Sequence, residues 1–114
     1  MTLYIDSGHK IFCCYCGKLI IYPLKQTTEH LVPLSKGGNN TPENKRPCCN
    51  YCNGWRGNKS LDFWKSEIIE LVNSEKTKVP YHLVDLRIMI ENIDYLIHYI
   101  DTAGLKLQFR KTIS

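Results

Sequence analysis

The chain has 114 residues, 43% of them hydrophobic and 23% charged, with a formal net charge of +4. This bounds it to one small domain, or a small domain with a helical extension, and excludes a membrane span, because no run of about 18 apolar residues occurs. Met1 to Ile11 carries Asp6, His9 and Lys10 where a signal peptide needs an apolar stretch, so a cytoplasmic location is expected.

In chain order, Ile11-Phe12 and Lys18 to Tyr22 read as two short strands around a Cys-x-x-Cys-Gly turn, with Gly17 supplying the positive φ that such a turn needs. Thr27 to Val32 is a third strand candidate. Pro33 to Pro42, with Gly37-Gly38-Asn39-Asn40 inside it, is a loop by composition. Asn44 to Pro47 reads as a return strand, with Pro47 marking its end. A second Cys-x-x-Cys follows, and Asn50 to Gly57 reads as a short helix stopped by Gly57. Ser60 is a good N-cap for a helix from Leu61 to about Glu75, whose Leu61, Trp64, Ile68, Leu71 and Val72 recur on one face. After a connector, Pro80 is placed as a helix-start proline. Leu83, Leu86, Ile90, Ile93, Ile97 and Ile100 then form a heptad seam that ends at Gly104. The seam is short enough to be one face of an intrachain helical hairpin. The additional apolar residues Val84, Ile88, Met89, Tyr95, Leu96 and Tyr99 widen the surface, so a homodimer or a protein partner through the 81–103 helix is a candidate way of covering it. Leu105 to Ile113 is a basic tail.

Cys13/Cys16 and Cys49/Cys52 are two C-x2-C pairs separated by a long insert, the spacing of a tetrahedral zinc site rather than of a secreted disulfide framework. With all four positions filled by sulfur, the ion has no open site for water, so its role is structural. Cys14 and Cys48 break that spacing and are read as packing residues or weak alternates. Charge is distributed in the same direction: from Lys25 to Lys65 seven bases face three acids, whereas from Ser66 to Ala103 three bases face seven acids. The positive half coincides with the cysteine segment.

The ordered string Cys13-x-x-Cys16-Gly17, Thr28-Glu29-His30-Leu31-Val32-Pro33-Leu34-Ser35-Lys36-Gly37-Gly38, Asn44 and Cys49-x-x-Cys52-Asn53 resembles the HNH endonucleases. The resemblance covers roughly Phe12 to Lys59. It implies an α+β fold with a ββα-metal (His-Me finger) core stapled by the four-cysteine zinc site, and places the nuclease domain in residues 1–60 and a helical appendage in 61–114. It also implies that His30 is the general base, that Asn44 pins the loop and orients that base, and that Glu29 and Asn53 hold one catalytic Mg2+ or Mn2+. DNA is the implied substrate, cut by in-line attack of water to leave 5′-phosphate and 3′-hydroxyl ends. Glu29 departs from the family's usual aspartate by one methylene. Strand alternation puts Glu29 and His30 on opposite faces, so a twist or bulge is expected there. Lys36, Arg56 and Lys59 are the candidate phosphate contacts. Trp55 is expected to pack the short helix on the hairpin rather than stack on a base. His9, His82 and His98 read as ordinary surface or core residues. Two readings from other classes stand beside the nuclease: a zinc-stapled nucleic-acid-binding module without cleavage, and a structural partner protein acting through its long helix.

Overall fold

The computed structural model describes residues 10–105. The expected basic tail beyond Leu105 and His9 lie outside the described residues. Within them the fold is mixed α+β: β1 (Gln26–His30) pairs antiparallel with β2 (Lys45–Cys49), and three helices follow, α1 (Asn50–Arg56), α2 (Leu61–Asn73) and α3 (Leu83–Ala103). No helix among the described residues is long and apolar enough to cross a membrane.

The first expected hairpin is reduced to one bridge, Phe12 with Leu19, flanked by Cys13 N–H to Lys18 O at 2.9 Å and Ile20 N–H to Ile11 O at 2.8 Å. The chain then turns away, with Leu24 N–H bonded to Ile21 O at 2.8 Å, which stops further pairing. The main sheet runs instead between β1 and β2 in unbroken register from Gln26 opposite Cys49 to His30 opposite Lys45. Pro47 does not end β2, because a two-stranded ribbon has an outer edge on which a missing N–H costs no ladder bond. Its carbonyl accepts from Cys14 N–H at 3.0 Å on the first cysteine turn. β1 buries Glu29 and exposes Gln26 and Thr28, the period-2 alternation of a strand with one covered face.

Cys49 caps α1 through its sulfur, which accepts from Cys52 N–H at 3.4 Å, and Ser60 caps α2 by accepting from Phe63 N–H at 3.2 Å. α2 buries Leu61, Trp64 and Ile68 and ends two residues before the expected Glu75. Glu75 has already turned left-handed (φ 54), and Lys76 N–H closes back on Leu71 O at 2.9 Å. α3 starts at Leu83 rather than Tyr81, held by His82 N–H donating to the Asp85 carboxylate at 2.9 Å. Its fully buried line is Leu86, Met89, Ile93, Leu96 and Ile100, with Leu83, Ile90 and Ile97 only half-buried beside it. The buried stripe is thus shifted from the heptad reading toward Met89 and Leu96. α3 packs against α2 as a helical hairpin and also reaches the first cysteine turn, where Asn92 Nδ2 donates to Tyr15 O at 2.7 Å. One apolar cluster runs from Cys13 to Leu105 and draws on both halves of the chain.

Candidate active site and its cysteine staple

The two cysteine turns meet where the edge of the sheet passes into α1. The sulfurs of Cys13, Cys16, Cys49 and Cys52 lie within 4.8 Å of one another, and all four residues are buried. Tetrahedral zinc at about 2.3 Å from sulfur needs sulfur separations of about 3.8 Å, so the four residues fit one ion. Each turn also offers an N–H to its leading sulfur, Tyr15 to Cys13 and Cys52 to Cys49, both at 3.4 Å. The thiols hold protons unequally. Hydrogen bonding from Cys14, and then from Cys16, Cys48 and Cys49, drives the Cys13 thiol far down, while that from Cys13, Cys16 and Cys49 pushes Cys52 up. Tyr81, just before α3, donates its hydroxyl to Cys52 Sγ at 3.1 Å, an outer-sphere bond of the kind that orients metal ligands. Burial first, then the charge of Cys52, raises that phenol and keeps it a donor. Cys48 is fully buried without joining the cluster, whereas Cys14 is half-buried.

Behind the staple lies a network that the sequence did not announce. Arg56 is 1% exposed and Glu29 5%. Arg56 NH1 donates to Glu29 Oε2 at 2.9 Å, to Tyr15 OH at 3.1 Å and to His30 O at 3.1 Å, NH2 donates to Leu31 O at 2.9 Å, and Nε donates to Lys59 O at 2.8 Å. Tyr15, the second of the two residues inside the first Cys-x-x-Cys, donates its hydroxyl to the same Glu29 Oε2 at 2.6 Å. Burial, and then the Glu29 charge, pushes the Tyr15 phenol well up. The buried Glu29 Oε2 is satisfied by one guanidinium nitrogen and a phenol hydroxyl.

This corrects two expectations. Arg56 is not a phosphate contact, since its donors are spent inside the protein. The strand does not bulge at Glu29 and His30: regular alternation carries Glu29 inward while His30 stays half-buried at the strand end.

Glu29, His30 and Asn53 nevertheless share one cleft of about 240 Å³, with Thr28, Ser35 and Asn58 in its walls. Asn53 Nδ2 donates to Thr27 Oγ1 at 2.8 Å, and Thr27 Oγ1 donates to Cys48 O at 2.8 Å. This relay engages the amide nitrogen, so Oδ1 is the atom that Asn53 could offer to a ligand. Asn44 is fully buried; its Oδ1 accepts from Val32 N–H at 2.9 Å, and its Nδ2 donates to Val32 O at 3.0 Å and to Asn39 O at 2.8 Å. One amide therefore fastens both sides of the loop that follows His30. Gly38 makes that closure possible, because a Cβ there would sit 1.8 Å from Val32 O.

Of the remaining phosphate candidates, Lys36 is exposed and lines a different cavity, with Leu31, Val32 and Ser60, while Lys59 ion-pairs with Glu67 at 2.8 Å. Lys45, which no motif singled out, stands directly across the ribbon from His30. Trp55 packs edge-on against Trp64, with centroids 5.5 Å apart, and against Tyr81 at 5.1 Å, so it braces α1 on the helices rather than on the hairpin.

A strand, loop, strand and short helix, with a histidine at the first strand's end and an asparagine pinning the loop, forms a ββα unit beside four cysteines placed to hold one metal ion. Residues 13–66 match a family model described as HNH endonuclease. No curated protein and no solved structure matches the chain.

Proposed function

We propose that this domain is a metal-dependent endonuclease that hydrolyses DNA phosphodiester bonds, with His30 as general base, Asn44 holding the loop, and Glu29 and Asn53 as ligands of a Mg2+ or Mn2+. The observation that carries the reading is the common cleft of His30, Glu29 and Asn53. An imidazole takes the proton of a water aligned with the phosphorus, the new P–O bond forms, and the bond to the 3′ oxygen breaks; that oxygen takes a proton from solvent water, which leaves a 3′-hydroxyl and a 5′-phosphate. Glu29 has spent Oε2 on Arg56 and Tyr15, so the ligand atoms it and Asn53 present are Glu29 Oε1 and Asn53 Oδ1. Such a sparse oxygen set suits a hard cation that completes its shell with water and substrate phosphate. When bound, the cation supplies Lewis-acid stabilisation of charge on the phosphoryl and leaving oxygens. The cysteine cluster holds zinc as a staple. Lys36 and Lys45 supply phosphate contacts, and Lys59 joins them only after releasing Glu67.

Supercoiled plasmid incubated with protein and Mg2+ or Mn2+, beside a His30→Ala control, tests this. Nicking by the unmutated protein alone supports it, and equal nicking by both sinks it. The second reading, a nucleic-acid-binding module without cleavage, is favoured by the commitment of Glu29 Oε2 to Arg56. It predicts salt-sensitive DNA binding with no nicking in either metal. Val84, Ile88 and Tyr95 form an exposed apolar stripe on α3 that a second copy of the chain would cover, which the molecular mass in solution tests.

A further inference from the structure

His30 Nε2 lies 2.8 Å from the side-chain Oδ1 of Asn40, an exposed loop residue outside the motif string. An amide oxygen only accepts, so the hydrogen of that bond is on Nε2, and the neutral ring then carries its lone pair on Nδ1. The loop that presents Asn40 is itself held. Asn39 O is gripped by Asn44 Nδ2 at 2.8 Å, and Asn39 Oδ1 accepts from Thr41 Oγ1 at 2.7 Å and from Thr41 N–H at 3.3 Å. From the other side Arg56 NH1 fixes the His30 carbonyl at 3.1 Å. The imidazole is thus tethered at both ends, its backbone by α1 and its ring by the loop.

We propose that Asn40 is the positioning residue for His30, holding Nε2–H so that Nδ1 faces the attacking water. This rests on the reading of His30 as general base, and it goes further by assigning which nitrogen takes the proton and which side chain enforces that choice. A ring left free to rotate about its Cβ–Cγ bond would present the wrong atom for much of the time, which costs turnover without costing DNA affinity. Asn44 acts one step further back, on the loop backbone, so the two asparagines have separate consequences when removed.

The experiment uses the full chain loaded with zinc, with His30→Ala, Asn40→Ala and Asn40→Asp variants. Proton NMR of 15N-labelled protein at about pH 8.5, where an ordinary imidazole is neutral, reads the bond without reference to activity. The His30 Nε2 proton is expected to give an observable, exchange-protected signal in the unmutated protein, to vanish in Asn40→Ala, and to return in Asn40→Asp, which keeps an acceptor oxygen at the same reach. In plasmid nicking, Asn40→Ala is expected to lower kcat about ten- to hundredfold, a part of the 10²–10⁴ that a general base contributes, with KM within about twofold because no phosphate contact is lost. An unprotected Nε2 proton in the unmutated protein, or full kcat in Asn40→Ala beside an inactive His30→Ala, overturns the positioning role and leaves the nuclease reading intact. Undiminished nicking by His30→Ala overturns both.

Discussion

Replacing Arg56 is the most severe single test of how this site is built. Arg56→Ala leaves Glu29, 5% exposed, with the Tyr15 hydroxyl as its one remaining hydrogen-bond partner among the described residues and releases the carbonyls of His30, Leu31 and Lys59. Stranding one member of a buried ion pair costs about 3–5 kcal/mol, and each buried acceptor left unpaired adds about 1–3 kcal/mol. Against a total stability of about 5–15 kcal/mol for a domain of this size, that unfolds much of the population. Arg56→Lys is the informative variant. It keeps the charge near Glu29 but has no planar fork to reach Leu31 O and Lys59 O on the other sides of the guanidinium. The expected loss is about 2–3 kcal/mol, which at about 4–8 °C per kcal/mol lowers the Tm by roughly 10–20 °C. Thermal unfolding of the zinc-loaded protein followed by circular dichroism measures it. If Arg56→Ala melts within a few degrees of the unmutated protein, the network is not what holds β1 to α1. A folded Arg56→Lys should also keep the salt dependence of DNA binding, because the side chain never meets phosphate; a shallower slope would restore Arg56 to the interface.

Gly38→Ala should disable the site without replacing any of its side chains: the added Cβ meets Val32 O at 1.8 Å and Asn44 Nδ2 at 3.0 Å, so the Asn44 clamp must open, and both Tm and nicking should fall. Retained activity would mean that the loop closure is dispensable. Tyr81→Phe should weaken metal retention about tenfold in a chelator competition, by removing the hydroxyl that donates to Cys52 Sγ, with the helices still folded when metal is in excess. Stripping zinc with a chelator should abolish the cooperative unfolding transition, whereas withholding Mg2+ should leave the melt unchanged and stop only cleavage. Lys36→Ala and Lys45→Ala should each reduce the slope of log K on log salt by about one, and Lys59→Ala should change it less, because Lys59 is paired with Glu67.

The parts of the fold that spacing determines were legible in the chain. Two C-x2-C pairs can reach one ion only by folding the intervening segment back, and Ser60 with Leu61, Trp64 and Ile68 specifies an amphipathic helix; both are present. The shift of the α3 stripe toward Met89 and Leu96 was not legible, because it depends on α3 touching the cysteine turn as well as α2, and periodicity does not count the neighbours of a helix. Nor was the direction of Arg56. A cation beside a phosphate-site motif is equally compatible with solvent and with a buried carboxylate, and only the inward turn of Glu29 by strand alternation decides it. Asn40 and Thr27 carried no signal at all, since a polar loop residue and a strand threonine acquire meaning only when His30 and Asn53 come within reach.

The position of Tyr15 gives the staple a second consequence. It is one of the two residues between Cys13 and Cys16, and its hydroxyl reaches Glu29 at 2.6 Å while Asn92 of α3 holds its carbonyl at 2.7 Å. A metal bound by Cys13 and Cys16 therefore fixes one of the two donors on the carboxylate of the cleft. The other donor, Arg56, extends from the helix that begins at the second cysteine turn. Opening the cysteine cluster at either turn displaces one donor, and the charge of Glu29 then has to find water or the remaining partner alone. Tyr15→Phe isolates this coupling, because it leaves all four sulfurs in place and removes only the hydroxyl, with its bonds to Glu29 and Arg56. The expected outcome is unchanged zinc retention, a stability loss of about 1–3 kcal/mol for the charged hydrogen bond, and altered dependence of nicking on Mg2+ concentration as Glu29 gains freedom. An unaltered metal dependence would separate the staple from the cleft and confine Tyr15 to packing against Trp64.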